Sequence, residues 1–150
     1  MGYVPSNQNG QTTMSNSAPV VFASDQSTLN TSLQEVATGG ASVYHLVSTN
    51  TTNATNIKSS AGKVTGWYIY NNNGSARKVA FHNASTTPTA GATASFYFSI
   101  VIPPLSAANC PYPAGIAFST GIGITTTTGL ADSDATAVGS TDLIINIFYK

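Results

Sequence analysis

From Ala41 to the C-terminus, short runs in which apolar and polar side chains alternate recur again and again, each closed by Gly, Pro, Asn or Asp. A period of two over so few residues suits a half-buried strand, and no stretch repeats its apolar positions at the helical spacing for long enough to compete. The clearest run is Ser95–Ile102, where Phe96, Phe98, Ile100 and Ile102 alternate with Tyr97, Ser99 and Val101 before Pro103-Pro104 ends it. A second is the terminal Asp142–Lys150, with Leu143, Ile145, Ile147 and Tyr149 on one face. Further strands are expected at Ser42–Ser48, at Asn53–Lys58, at Lys63–Asn71, at Ala76–His82, and at Gly115–Thr126 as one or two strands with a Gly bend. Ser106–Pro113 has no periodicity and reads as a loop, and so does Gly129–Thr141. The expected fold class is therefore all-β: an antiparallel β-sandwich, with a jelly roll among its arrangements and the strand order left open.

Composition agrees. Charged residues make up only 7% of the 150, against roughly a quarter of an ordinary soluble chain. Ser, Thr, Asn and Gly replace them, which favours pleated surfaces and tight turns over helices. Five basic residues balance five acidic ones, so no strong field draws the chain to nucleic acid or to an anionic membrane, and neither is an expected partner. No apolar run approaches the length of a membrane span, and the first residues have neither the basic nor the apolar region of a secretion signal. The Asn-x-Ser/Thr triplets at Asn30, Asn50, Asn53, Asn73 and Asn83 are read as composition rather than glycosylation sites.

Asn73-Gly74 between two apolar runs is the strongest local signal, because such pairs supply the positive φ of a two-residue hairpin turn. Counting outward sets Tyr70 opposite Arg77, Tyr68 opposite Val79 and Trp67 opposite Ala80. In this register Arg77 lies on the Tyr70 ring, Phe81 covers the gap at Gly66, and His82 faces Thr65.

Residues 1–40 differ from the 41–150 body. Their one sustained apolar run is Pro19-Val20-Val21-Phe22-Ala23, and Leu29, Leu33 and Val36 are spaced like one face of a short helical stretch that ends at Gly39-Gly40. That is too little for a core, so the segment is expected to be an extended arm or linker with one short strand. Its candidate partner-binding residues are Pro19, Val20, Val21, Phe22, Leu29 and Leu33.

Catalysis requires titratable groups that converge, and the supply is small: His45, His82, Asp25, Glu35, Asp132, Asp134, Asp142 and a lone Cys110. No nucleophile elbow or phosphate-cradling loop is present, so no catalytic residue, cofactor or enzymatic activity is expected. Asp132-Ser133-Asp134 resembles the start of a calcium loop, but Ala137 and Leu143 stand where an EF-hand needs Gly and Glu, so no metal site is expected. Cys110 alone excludes an internal disulfide. The seven tyrosines and Trp67 could form a sugar-stacking platform. The reading preferred here is that most of them fill a core or a subunit interface.

Ser17–Ser27 (SAPVVFASDQS) resembles a stretch common near the N-termini of tailed-bacteriophage structural proteins. GWYIYNNNGSARKVAFHN (Gly66–Asn83), GIAFSTGIGIT (Gly115–Thr125) with the Asp132/Asp134 loop, and DLIINIFYK (Asp142–Lys150) likewise resemble small phage virion proteins. The resemblance implies a non-enzymatic β-sandwich, commonly a homotrimer, bound to the particle. The leading expectation is a head decoration (cement) protein on the capsid exterior that bridges major capsid protein subunits. A tail or baseplate component and a host-glycan-binding module are the alternatives.

Overall fold

The computed structural model describes residues 40–150. Eight strands are found there: β1 (Ser42–Val47), β2 (Thr55–Lys58), β3 (Gly62–Asn71), β4 (Arg77–Asn83), β5 (Phe96–Ile102), β6 (Ser106–Phe118), β7 (Ile122–Thr127) and β8 (Leu143–Tyr149). They form two antiparallel four-stranded sheets, β1-β8-β3-β6 (sheet A) and β2-β7-β4-β5 (sheet B). The expected all-β sandwich is the observed architecture. Its order has a simple logic, because β1 pairs with β8, β2 with β7, β3 with β6 and β4 with β5. That is the pattern of one long antiparallel ribbon rolled over on itself, the strand order of a jelly roll.

Alternation along the strands builds the core. Val64, Ile69, Leu143, Ile145 and Ile147 of sheet A face Val79, Phe81, Ile102, Ile122 and Ile124 of sheet B, all with no measurable exposure. Each such side chain contributes roughly 1.5–3 kcal/mol on burial. Trp67 completes the layer, 6.1 Å from Phe81 and 6.2 Å from Phe98, and the last two rings stack at 4.6 Å.

The Asn73-Gly74 hairpin is not formed. β3 belongs to sheet A and β4 to sheet B, so the segment between them crosses the sandwich instead of joining paired neighbours. Neither Asn73 nor Gly74 has positive φ. The turn is held by asparagine side chains: Asn71 Oδ1 accepts from Asn73 N–H at 3.0 Å and Asn73 Oδ1 from Ser75 N–H at 2.9 Å, while Asn71 Nδ2 donates to the carbonyls of Ser75, Ile102 and Pro103. These are Asx turns, which serve a corner as readily as a hairpin. Trp67, Ile69, Val79 and Phe81 therefore meet face to face across the core, not side by side. Arg77 goes to Asp142 rather than to Tyr70. Gly66 lies under Phe148, with which it pairs, and His82 packs against Thr125 rather than Thr65.

Ser106–Pro113 is also corrected, from loop to the first half of the 13-residue β6. Its Ser106–Pro111 segment pairs residue by residue with Asn71 back to Gly66. As an edge strand it tolerates Pro111 and Pro113, whose missing N–H groups are not needed on the open side. Ser119-Thr120-Gly121 supplies the expected bend between two strands, and Gly129–Thr141 remains free of strand.

Candidate functional site

The two outer faces of the sandwich differ. On sheet B the outward residues of the central strands, Lys78, Ala80, His82, Thr125 and Thr127, are buried. Two loops lie over them, 84–95 and 128–142. Lys78 Nζ donates to the Ala131 carbonyl and stands 3.7 Å from an Asp132 carboxylate oxygen. Gly123 of β7 sits against Pro88, and Gly91, with φ of 76°, lies so close to the Ser133 carbonyl that a Cβ there would be 2.6 Å from it. The loops thus clasp one another as well as the sheet.

Sheet A has no such cover among the described residues. Its outer face presents Val43, His45 and Val47 from β1, Ile144, Asn146 and Phe148 from β8, Tyr68 and Tyr70 from β3, and Ala107, Asn109 and Pro111 from β6. Val43 is 58% exposed, Val47 42% and Tyr68 43%. No Lys, Arg, Asp or Glu is among these residues, and Lys63 marks the rim at the start of β3. A sheet face without Lys, Arg, Asp or Glu and with exposed aromatic and β-branched residues has the composition of an interface core rather than of ordinary surface.

The polar groups that could do chemistry are engaged elsewhere. Arg77 Nε donates to Asp142 Oδ2 at 2.7 Å, both side chains being 11% exposed, and Asn73 Nδ2 and Gly139 N–H complete the carboxylate's shell. Burial pushes the Asp142 carboxyl up, but the hydrogen bonds from Arg77, Gly139 and Asn73 and the guanidinium charge outweigh it and hold the group below the usual carboxylate range. His82 has Thr125 Oγ1 at 3.0 Å on Nε2 and Ser95 Oγ at 3.3 Å on Nδ1. Burial, aided by the Lys78 charge, lowers its pKa and favours the neutral ring.

For Asp134, desolvation opposes ionisation, and hydrogen bonds from Thr136 and Gly129 together with the Lys78 charge overcome it, so its pKa is lowered. Its oxygens accept from Gly129 N–H, Thr136 N–H and Thr136 Oγ1, the shell of a loop-closing carboxylate. Among the described residues no group of three or more His, Cys, Asp or Glu side chains converges. Cys110, half-buried, pairs across the strands with Trp67.

The aromatic residues split. Trp67, Tyr44 and Tyr149 pack against the core, whereas Tyr68, Tyr97 and Tyr112 are exposed, Tyr97 with its ring 5.1 Å from Phe118. Trp67 is thereby removed from any surface platform. The arm residues Pro19, Val20, Val21, Phe22, Leu29 and Leu33, singled out from the sequence as partner-binding, lie outside the described residues. The sheet A face was not singled out, because its residues come from four strands that are far apart in sequence. No family model, curated protein or solved structure matches the chain.

Proposed function

We propose that this chain is a non-enzymatic structural protein of a virus particle, a decoration protein that sits on the capsid exterior and bridges neighbouring capsid subunits. The observation that carries the reading is the asymmetry of the sandwich: the central strands of sheet B are covered by their own loops, whereas the central strands of sheet A lie bare in a partly apolar face without Lys, Arg, Asp or Glu. Contacts of that kind depend little on ionic strength, which suits a particle released into dilute surroundings. The jelly roll recurs in viral capsid and lectin domains, an argument by analogy of fold, and the sequence resemblance to phage virion proteins points the same way. The working assembly is a homotrimer in contact with the major capsid protein, without cofactor, nucleic acid or membrane. Cryo-electron microscopy of the parent particle tests this directly. Density for the chain at capsid subunit junctions is the expected result, and density on the tail alone overturns the head assignment in favour of a tail or baseplate component.

The exposed Tyr68, Tyr97 and Tyr112 favour a second reading, a glycan-binding module that attaches the particle to its host. Binding on a glycan array at millimolar sugar or below, about 4 kcal/mol of affinity, supports it. A blank array removes it.

A further inference from the structure

The sandwich has four open strand edges among the described residues, and three of them are blunted. β2 has only four residues and a register shift between Asn56 and Lys58. β6 carries Pro111 and Pro113 and the register shift facing Val64/Gly66. β5 has a register shift at Phe81/His82, and its Tyr97 reaches across to Phe118 of β6. Shortness, bulges, prolines and side-chain cover are the usual means by which an edge avoids pairing with another chain. β1 uses none of them. Its six residues, SVYHLV, run in unbroken register with β8, its one neighbour here, and contain no proline and no Lys, Arg, Asp or Glu.

The backbone of β1 can be oriented from one hydrogen bond. Ser48 N–H donates to the Leu143 carbonyl at 2.9 Å, so the Ser48 backbone points toward β8. Successive residues of a strand direct their N–H and C=O groups to opposite sides. Tyr44 and Leu46 therefore face β8, and Val43, His45 and Val47 direct their backbone groups to the open edge.

That outward set is symmetric about His45. We infer that β1 pairs antiparallel with β1 of a second copy of this chain about a two-fold axis through His45, joining two A sheets into one continuous eight-stranded sheet. In this register Val43 stands opposite Val47 of the second copy, His45 opposite His45, and all three outward residues on each strand exchange backbone hydrogen bonds. Tyr44 meets Leu46 on the inner face. An isologous contact needs a patch that is complementary to itself, and here valine meets valine, aromatic meets aliphatic, and no fixed charge opposes its like. The His45 ring is drawn back over β8 by Asn146, Nδ1 to Oδ1 2.9 Å, which leaves the edge clear. The inference does not depend on where in a particle the protein sits. A two-fold contact joins copies in pairs, so copies that also close as trimers are linked trimer to trimer by it.

The test is register-specific cross-linking of the full-length protein in a Cys110→Ser background. His45→Cys places two thiols across the axis with Cα atoms ~5.5 Å apart, inside the range a disulfide spans. Val43→Cys places them ~13 Å apart along the strands, outside it. A disulfide dimer from His45→Cys and none from Val43→Cys is the expected result. Equal yields, or no dimer from either, overturn the proposal.

Sedimentation provides the second reading. His45→Pro removes an N–H that faces away from β8, so the melting curve is expected to stay in place while self-association weakens by ~10-fold or more. Should that variant fail to fold, Val43→Lys, an edge lysine, takes its place. An unchanged dimer population in a folded variant of either kind overturns the pairing. If the β1 contact fails while a trimer mass remains, the pairing is wrong and the trimer stands.

Discussion

Gly74 and Gly91 show how differently the same residue type is used in this fold. Gly74 lies in the corner between β3 and β4 with no positive φ, and a Cβ added there meets nothing within 4 Å. Gly74→Val is therefore expected to change stability by no more than ~0.5 kcal/mol, the range of an ordinary surface substitution. Gly91 has φ of 76° and would carry its Cβ into the Ser133 carbonyl, so Gly91→Ala is expected to cost ~1–3 kcal/mol. Denaturant midpoints of the two variants check both, and a large loss at Gly74 would restore the hairpin turn that the topology denies.

His82 sets a pH response at the same scale. Its folded pKa lies below the 6.5 of an ordinary imidazole, so the unfolded chain binds a proton that the native state refuses. That stability is fully present above the unfolded pKa and is lost as pH falls through the folded one. The depressed carboxyls of Asp142 and Asp134 act in the same direction, but their loss comes as pH falls through and below the 3.8 of an ordinary aspartate. Thermal melts from pH 8 to 3 are expected to show two separate declines. His82→Gln should flatten the first and leave the second, and a first decline that persists in this variant would assign it to another group.

At the scale of elements, the ends of β3, β4 and β8 are gathered on one carboxylate. Asp142, just before β8, bonds Arg77 at the start of β4, Asn73 in the β3–β4 corner and Gly139 in its own loop, which ties sheet A to sheet B. Thr141 beside it takes φ of 61°, a costly conformation for a β-branched residue, and its N–H is held by the Ser48 carbonyl at 2.8 Å. Asp142→Ala leaves Arg77 buried without its counterion and is expected to cost ~3 kcal/mol or more. The double change Asp142→Leu with Arg77→Met removes both charges and should lose less. A chemical-denaturation series of the wild type, the single and the double variant measures the difference, and equal losses would mean that the clamp acts through packing alone.

For the molecule as a whole, the eight strands and buried core of the described residues lie between Ser42 and Tyr149. Removing residues 1–39 is therefore expected to leave a folded sandwich with its melting midpoint within a few degrees of the full chain. If the arm clasps a neighbouring subunit in addition to the sheet A contact, the same truncation should weaken binding to undecorated capsids far more than it lowers the midpoint. Melting and capsid co-sedimentation of the two forms separate these effects. A truncated chain that does not fold would place the first 39 residues in the core, and one that binds as well as the full chain would leave the sheet A face as the attachment surface and remove the arm from it.

Most strands and inward faces were legible in the local pattern, but Ser106–Pro113 was not, and the extra residue of β5 at the Phe81/His82 register shift turns Phe96 away from Phe98, Ile100 and Ile102 to the outer face beside His82. Phe98, Ile100 and Ile102, or Leu143, Ile145 and Ile147, follow from a period of two that any pleated strand must obey, and the depletion of charge and helix formers closed off other classes. What it could not determine was which strand lies beside which. Asn73-Gly74 is chemically fit for a hairpin and for a corner alike, and the choice fell to contacts made far along the chain, where β6 and β8 claimed both sides of β3, and β5 and β7 both sides of β4. Ser106–Pro113 looked irregular because an edge strand needs hydrogen bonds on one side only and so tolerates prolines that a central strand would not. The burial of Lys78 and His82, the Arg77–Asp142 clamp and the bare face of sheet A were equally out of reach. Each is a meeting of residues from different strands or loops, and local pattern records only what one segment presents, whereas the roll of the ribbon decides what it meets.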